Sequence, residues 1–221
     1  RDVWKTDRPT SAIEESRDAY STPAVYEHPD GRAEIILCAA DMATGYDFQD
    51  GHEIWRHGDI NLSNNPTLRI VVSPVTTPEL IFVTSAKRGP MYAIRPGGQG
   101  DITSSHRVWT QTENTPDVAT PAVHGGLLFM VQEKGVLSCL DAQTGKPHWT
   151  QRLDAGYFPC SPLVADGKVY VGNEQGQVFV VAAEPQYKLL ATNSLDDQIL
   201  ASPVPAEGRL YFRTEGSLLC V

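Results

Sequence analysis

Short apolar runs, separated by glycine-bearing turns, recur along the whole chain. The cleanest series is Thr120 to Val123, Leu127 to Val131, Val136 to Leu140 and His148 to Arg152, broken by His124-Gly-Gly126, Gln132 to Gly135 and Asp141 to Lys146. The next stretch repeats it, with Ser161 to Val164, Lys168 to Gly172, Gln177 to Val181 and Tyr187 to Thr192. Strands of about five residues joined by such turns predict a meander of antiparallel hairpins. Eighteen Gly and 16 Pro, scattered rather than clustered, punctuate the chain too often for long helices.

The strands repeat in register with two markers. Ser21-Thr-Pro-Ala-Val25, Val72-Ser-Pro-Val-Thr76, Ala119-Thr-Pro-Ala-Val123, Cys160-Ser-Pro-Leu-Val164 and Ala201-Ser-Pro-Val-Pro205 share a Ser/Thr-Pro step, with prolines 51, 47, 41 and 41 residues apart. Trp4, Trp55, Trp109 and Trp149 follow at intervals of 51, 54 and 40, with Leu190 in the next equivalent place. A period near 40 with four strands per unit is the pattern of propeller blades. A β-sandwich would not set tryptophans at a fixed phase. The expected fold is an all-β propeller of four-stranded blades, one domain or a portion of one over residues 1–221, with units at roughly 20–57, 69–111, 117–152, 158–192 and 199–221. Residues 2–5 are expected to form an orphan outer strand. That strand could close a five-bladed ring, or the chain could be part of a seven- or eight-bladed one. The start at Arg1 without Met or signal segment, and the stop inside Ser217-Leu-Leu-Cys-Val221, suggest a processed or excised portion of a longer product. Pro96 to Ser105 and Asp59 to Pro66 read as loop insertions.

Asp141-Ala-Gln-Thr-Gly-Lys-Pro-His-Trp149 resembles the docking motif of the pyrroloquinoline-quinone-type (quinoprotein-like) β-propeller repeat family. Asp47-Phe-Gln-Asp-Gly-His-Glu-Ile-Trp55 is a weaker copy with the same step from Asp to Trp, and Arg95-Pro-Gly-Gly98 replaces the turn in the unit ending at Trp109. In such a motif the Asp and Thr-Gly make a capped tight turn, and the Trp wedges between blades. Trp4, Trp55, Trp109, Trp149, Asp141 and Gly145 are therefore read as structural. The family includes quinoprotein alcohol dehydrogenases and the propeller lipoprotein of the outer-membrane barrel-assembly machinery, so the resemblance implies a bacterial protein of the periplasm, cell envelope or exterior. It also implies what catalysis would need: a quinone between a Trp floor and an adjacent Cys-Cys disulfide, a calcium held by carboxylate and amide oxygens, and an Asp base. No Cys-Cys pair occurs. No catalytic, cofactor-binding or metal residue is assigned, and enzyme activity is not expected; quinone and calcium enter only if the chain belongs to a quinone- and calcium-dependent alcohol or sugar dehydrogenase.

Charge narrows the partners further. Eighteen basic against 27 acidic residues give a net charge of −9 and a pI near 5.1, which disfavours nucleic acid. No apolar run is long enough to span a bilayer. Cys38, Cys139, Cys160 and Cys220 lie far apart among apolar neighbours and read as buried free thiols, with one or two disulfides open in an exported protein. His52-Glu-Ile-Trp-Arg-His57 has the wrong histidine spacing for a zinc helix, Gly97-Gly-Gln-Gly100 precedes no helix and reads as a loop, and Asn61-Leu-Ser63 fits a glycosylation sequon. In a propeller, the loops entering each first strand share a face with the turns joining second to third strands. Those segments supply Asp18, Asp41, Asp117, Glu133, Asp154, Glu174, Asp197 and Glu215, with Lys87, Arg88 and Lys134 as the basic exceptions. The expected function is a non-catalytic binding scaffold that presents this polar, mainly acidic face to a protein, carbohydrate or other ligand; a dehydrogenase portion and an outer-membrane assembly scaffold are the alternatives.

Overall fold

The computed structural model describes residues 2–221; Arg1, where the reading of the chain's start falls, lies outside the described residues. The chain divides into two compact units, Arg1–Glu113 and Asn114–Val221.

In the first unit, a one-turn 3-10 helix (Glu14–Arg17) precedes strands β1 (Ala24–Glu27), β2 (Ala33–Ala39), β3 (Met42–Asp47) and β4 (Glu53–His57), which form an antiparallel sheet in that order. A second antiparallel sheet follows from β5 (Val75–Thr76), β6 (Ile81–Thr84), β7 (Met91–Ile94) and β9 (Arg107–Gln111). Between β7 and β9 the chain leaves to form β8 (Gly100–Asp101), which adds parallel to β4 on the first sheet. The glycine-rich insertion is therefore not only a loop: its backbone groups take up the free edge of β4. The two sheets bury Tyr26, Ile36, Cys38 and Trp55 against Ile81, Val83, Tyr92 and Ile94, with Ile102 of the insertion in the same cluster.

The second unit holds β10 (Ala122–His124), β11 (Leu127–Gln132), β12 (Val136–Asp141) and β13 (Pro147–Arg152) in one sheet. The next comprises β14 (Leu163–Ala165), β15 (Lys168–Gly172), β16 (Gln177–Ala182) and β17 (Leu189–Ser194), and a three-stranded sheet of β18 (Val204–Ala206), β19 (Arg209–Arg213) and β20 (Leu218–Cys220) completes it. Phe129, Val131, Leu137 and Cys139 pack on Phe158, Val169, Val171 and Phe179, and Cys160, Val178, Ile199 and Phe212 form the next seam. Middle strands such as β12 are buried on both faces and the last strand β17 is exposed throughout, so hydrophobic runs mark the middle of each blade. Among the described residues no helix is long and apolar enough to cross a membrane.

Two features explain the repeat markers. The N–H of Thr22 donates to the Ser73 hydroxyl, that of Thr120 to Ser161 and that of Ser161 to Ser202, each at 2.9 Å. The Ser before each proline thus staples its sheet to the backbone of the sheet before. Ser161→Ala leaves the Thr120 N–H without its acceptor, and we expect a loss of about 1 kcal/mol by urea denaturation. Retained stability would show that water replaces the hydroxyl at no cost.

The second feature is the tight turn. Asp141 Oδ1 accepts from the Thr144 N–H (2.8 Å) and hydroxyl (2.7 Å), and Gly145 takes φ +70° as its N–H returns to the Asp141 carbonyl. Asp47 makes the same turn with Gln49, Asp50 and Gly51. Trp4 lies over Gly51, where a Cβ would come within 2.3 Å of its ring, and its N–H donates to the Phe48 carbonyl. Trp149 donates to the Glu184 carbonyl on the equivalent turn of the next sheet and meets Tyr187 edge-on. Trp55 is wholly buried and Trp109 half-buried against Phe82.

Three expectations need correction. Residues 2–5 form no strand, and the indole of Trp4 anchors them on the Phe48 carbonyl. Leu190 is not in the tryptophan's place. Each four-stranded sheet shifts register one residue before it, so Trp55 faces Gly45, Trp109 faces Ala93, Trp149 faces Cys139, and Ala191 faces Val180, leaving Leu190 in the bulge. Among the cysteines, burial pushes the thiols of Cys38, Cys139 and Cys160 up to about 12, but Cys220 on β20 is exposed.

Candidate functional site

Backbone hydrogen bonds fix the acidic loops of the second unit. Glu133 and Lys134 stand on the turn between β11 and β12, Glu174 on that between β15 and β16, and Glu215 on that between β19 and β20. Each turn interlocks with the segment entering the next sheet. Phe158 N–H donates to the Glu133 carbonyl, Glu174 N–H to Tyr157, and Leu195 N–H to Gly176, at 2.8 to 2.9 Å. Glu215 N–H donates likewise to Gln198 (2.9 Å), and Gly216 N–H to Asp197 Oδ2 (2.9 Å).

Asp117, Glu133 and Glu174 lie near enough to Tyr157, a residue 39% exposed, for their charges to act on its hydroxyl. Burial, then the charges of Asp117, Glu133 and Glu174, hold the Tyr157 hydroxyl above the ordinary phenol range. Asp197, beside the Thr214 hydroxyl and bonded to the Gly216 N–H, keeps its carboxyl below the usual carboxylate range. Asp154 is exposed and accepts from the N–H of Ala155 (2.7 Å), while Lys134 is exposed and Arg152 donates to its carbonyl (2.7 Å). The result is an exposed aromatic side chain within the electrostatic reach of three acidic residues. Such a surface attracts cations electrostatically and offers a ring face for cation–π contact.

The first unit places its own candidates differently. Asp18 is exposed after the 3-10 turn. Asp41 is engaged by the N-terminal segment: the Thr10 hydroxyl and the Ser11 N–H and hydroxyl all donate to it, and Arg8 donates to the carbonyls of Ala39 and Met42 beside it. Burial opposes ionisation of Asp41, but those bonds hold its carboxyl low. Lys87 and Arg88 form an exposed left-handed tip, φ +53° and +62°, between β6 and β7, and the Lys87 ammonium donates to the Thr67 hydroxyl.

Sequence reasoning missed Tyr157, for which the available signal was the aromatic pair Tyr157-Phe158 in the loop between β13 and β14. It also missed that Asp47, Asp50 and His52 offer three possible ligand atoms within 4.8 Å of one another. The turn already uses them: Asp47 caps Gln49 and Asp50, and Asp50 accepts from His52, raising the imidazole above its ordinary value. The sequon's Asn61 is buried, its amide exchanging hydrogen bonds with the backbone of Asn65.

Capped tight turns, docked tryptophans and repeated four-stranded meanders define a fold of β-propeller blades. Residues 98–187 match the family model described as outer membrane protein assembly factor BamB. The chain superposes on BamB from Moraxella catarrhalis with a TM-score of 0.72 and 14% identity, over 99% of this chain and 62% of that one. A computationally designed protein, Ika8, superposes with a TM-score of 0.67 and 13% identity over 95% and 60%. A europium-containing methanol dehydrogenase aligns over 55% of this chain and 24% of its own at 22% identity, with a TM-score of 0.45. No curated protein matches the sequence. At these identities the likeness is one of fold, and this chain spans about 62% of the length of the Moraxella protein.

Proposed function

We propose that the protein is a non-catalytic binding scaffold of the cell envelope that holds a partner on the acidic face around Tyr157. The observation that carries this reading is that the charges of Asp117, Glu133 and Glu174 all act on one half-exposed tyrosine. A partner bearing lysine or arginine side chains is the chemistry such a face favours. The match of residues 98–187 to the assembly-factor model supports an envelope setting and, as the second reading, a role in outer-membrane assembly. The cysteines do not supply the adjacent pair that floors a quinone in catalytic relatives, so we propose that the face works without quinone or calcium.

A fluorescent oligolysine peptide tests the proposal. We expect saturable binding that weakens as salt rises and falls about tenfold when Asp117→Asn, Glu133→Gln and Glu174→Gln are combined. Lys87→Glu with Arg88→Glu should leave it unchanged or slightly tighter. Equal binding by the triple variant would remove this face from the function. A rise in melting temperature on adding quinone with calcium would overturn the non-catalytic reading.

A further inference from the structure

The insertion between β7 and β9 is held at its base and along β4. Its base closes through the Arg95 N–H to the His106 carbonyl (2.8 Å). Its tip lies along β4, where Gly100 and Asp101 pair with Trp55 and Arg56, Ile102 N–H donates to the Arg56 carbonyl (2.9 Å) and Gly58 N–H to the Thr103 hydroxyl (2.8 Å). The ladder is two residues long and carries glycine in a left-handed conformation (Gly100, φ +66°), so it has little β-preference of its own. Ile102 is its buried anchor.

At the root of this segment, Arg107 of β9 faces His57, the last residue of β4. The Arg107 Nε–H donates to His57 Nε2 at 3.3 Å, its guanidinium stacks 4.5 Å over the Tyr92 ring, and a terminal nitrogen pairs with Asp59. His57 is itself buried, 5.0 Å from the Tyr92 ring, whose hydroxyl donates to the Asp59 carbonyl (3.0 Å). Since Nε2 accepts, the imidazole is neutral with its proton on Nδ1. We infer that the segment from Gly98 to His106 is an acid-released cover over the outer edge of the first sheet, latched by the hydrogen bond from Arg107 to neutral His57.

Protonated His57 has no acceptor to offer and sets a second cation against Arg107. The groups facing it are Arg107 from β9, Asp59 from the loop after β4, Tyr92 from β7 and Asp101 from β8, with Arg56 beside it on β4. Burial first, and the Arg107 charge second, hold the imidazole below its ordinary value; Gly58 and Asp59 pull weakly the other way. The folded value lies below the unfolded one, so the latch contributes fully above about pH 6.5 and is lost as pH falls through the folded value. Release bares the N–H and C=O groups of β4, an edge able to take an extended strand.

The test is amide hydrogen exchange on the whole chain at pH 7.5 and pH 5, corrected for intrinsic rates, with Leu153 and Leu195 of the second unit as references. Protection at Ile102 and Gly58 should fall about tenfold relative to those references. In His57→Gln, whose amide oxygen can accept from Arg107 at either pH, protection should not change. In Arg107→Met, which removes the donor of the latch and keeps the imidazole in the chain, it should be low at both values. An unchanged profile in the native chain, or the same acid-dependent fall in either variant, overturns the inference.

Discussion

Trp55→Ala is expected to destabilise the first unit by about 4 kcal/mol, the range for deleting a large aromatic side chain from a core that cannot collapse around the void. The ring is fully buried, and the space for it is made by Gly45 opposite, where even a Cβ would lie 2.2 Å from the indole nitrogen. Its N–H donates to Glu34 Oε2 at 2.7 Å, and Glu34, 2% exposed, gives its other oxygen to His28 Nε2 at 2.6 Å. Removing the indole therefore leaves both a cavity and a buried carboxylate short of a donor. Trp55→Phe keeps most of the ring and loses the donor alone, so it should cost about 1 to 3 kcal/mol. Trp4→Ala is the contrast: its ring is only half-buried on the Gly51 turn and should matter less than half as much. Urea midpoints followed by circular dichroism read all three. Trp55→Ala and Trp4→Ala agreeing within about 1 kcal/mol would contradict the burial argument.

The fold was legible because blade packing writes itself into the sequence twice. The Ser before proline recurs as Ser73, Ser161 and Ser202 because its hydroxyl caps the previous sheet's backbone, and Trp4 and Trp149 recur because each indole docks on a neighbouring turn. What escaped was whatever depends on backbone register or on distant partners. The bulge that puts Ala191 in the tryptophan's place changes no residue type, so counting along the chain landed on Leu190. Gly100 and Asp101 became a strand because the edge of β4 needed pairing, a demand from elsewhere in the sequence. Cys220 has apolar neighbours in sequence, yet β20 has only β19 beside it, so the thiol stays exposed.

The candidate face was legible only as a set of loops. Topology said which loops share a side, but not which carboxylates act together or which are already engaged. Asp41 is tied to Thr10 and Ser11 by a segment that crosses back over its turn, whereas Asp117, Glu133 and Glu174 all act electrostatically on Tyr157. The difference lies in backbone hydrogen bonds, such as Phe158 to Glu133 and Glu174 to Tyr157, that have no signature in residue type.

Those same bonds make the turn glycines of the second unit the next most sensitive positions, and Gly176→Ala is expected to cost about 3 kcal/mol. Gly176 has φ +83°, a conformation that costs an L-residue roughly 1 to 2 kcal/mol. Its Cβ would also fall 2.1 Å from the carbonyl oxygen of Asp197 and 3.1 Å from the carbonyl carbon, backbone atoms that move only with their loop, which adds about 1 to 3 kcal/mol. The loop is pinned from both sides: Leu195 N–H donates to the Gly176 carbonyl, and Asn173, fully buried, holds the turn through Gln177. Gly167→Ala separates the two causes. It shares the left-handed conformation, φ +67°, but a Cβ there meets nothing within 4 Å, so only the conformational cost of about 1 kcal/mol should appear. Because the clash pushes on Asp197, Gly176→Ala should also raise exchange at the Gly216 amide, which donates to the Asp197 carboxylate, while Gly167→Ala leaves it protected. Equal urea midpoints for the two variants would mean that the loop yields freely, and the interlock could not then be what fixes the acidic face.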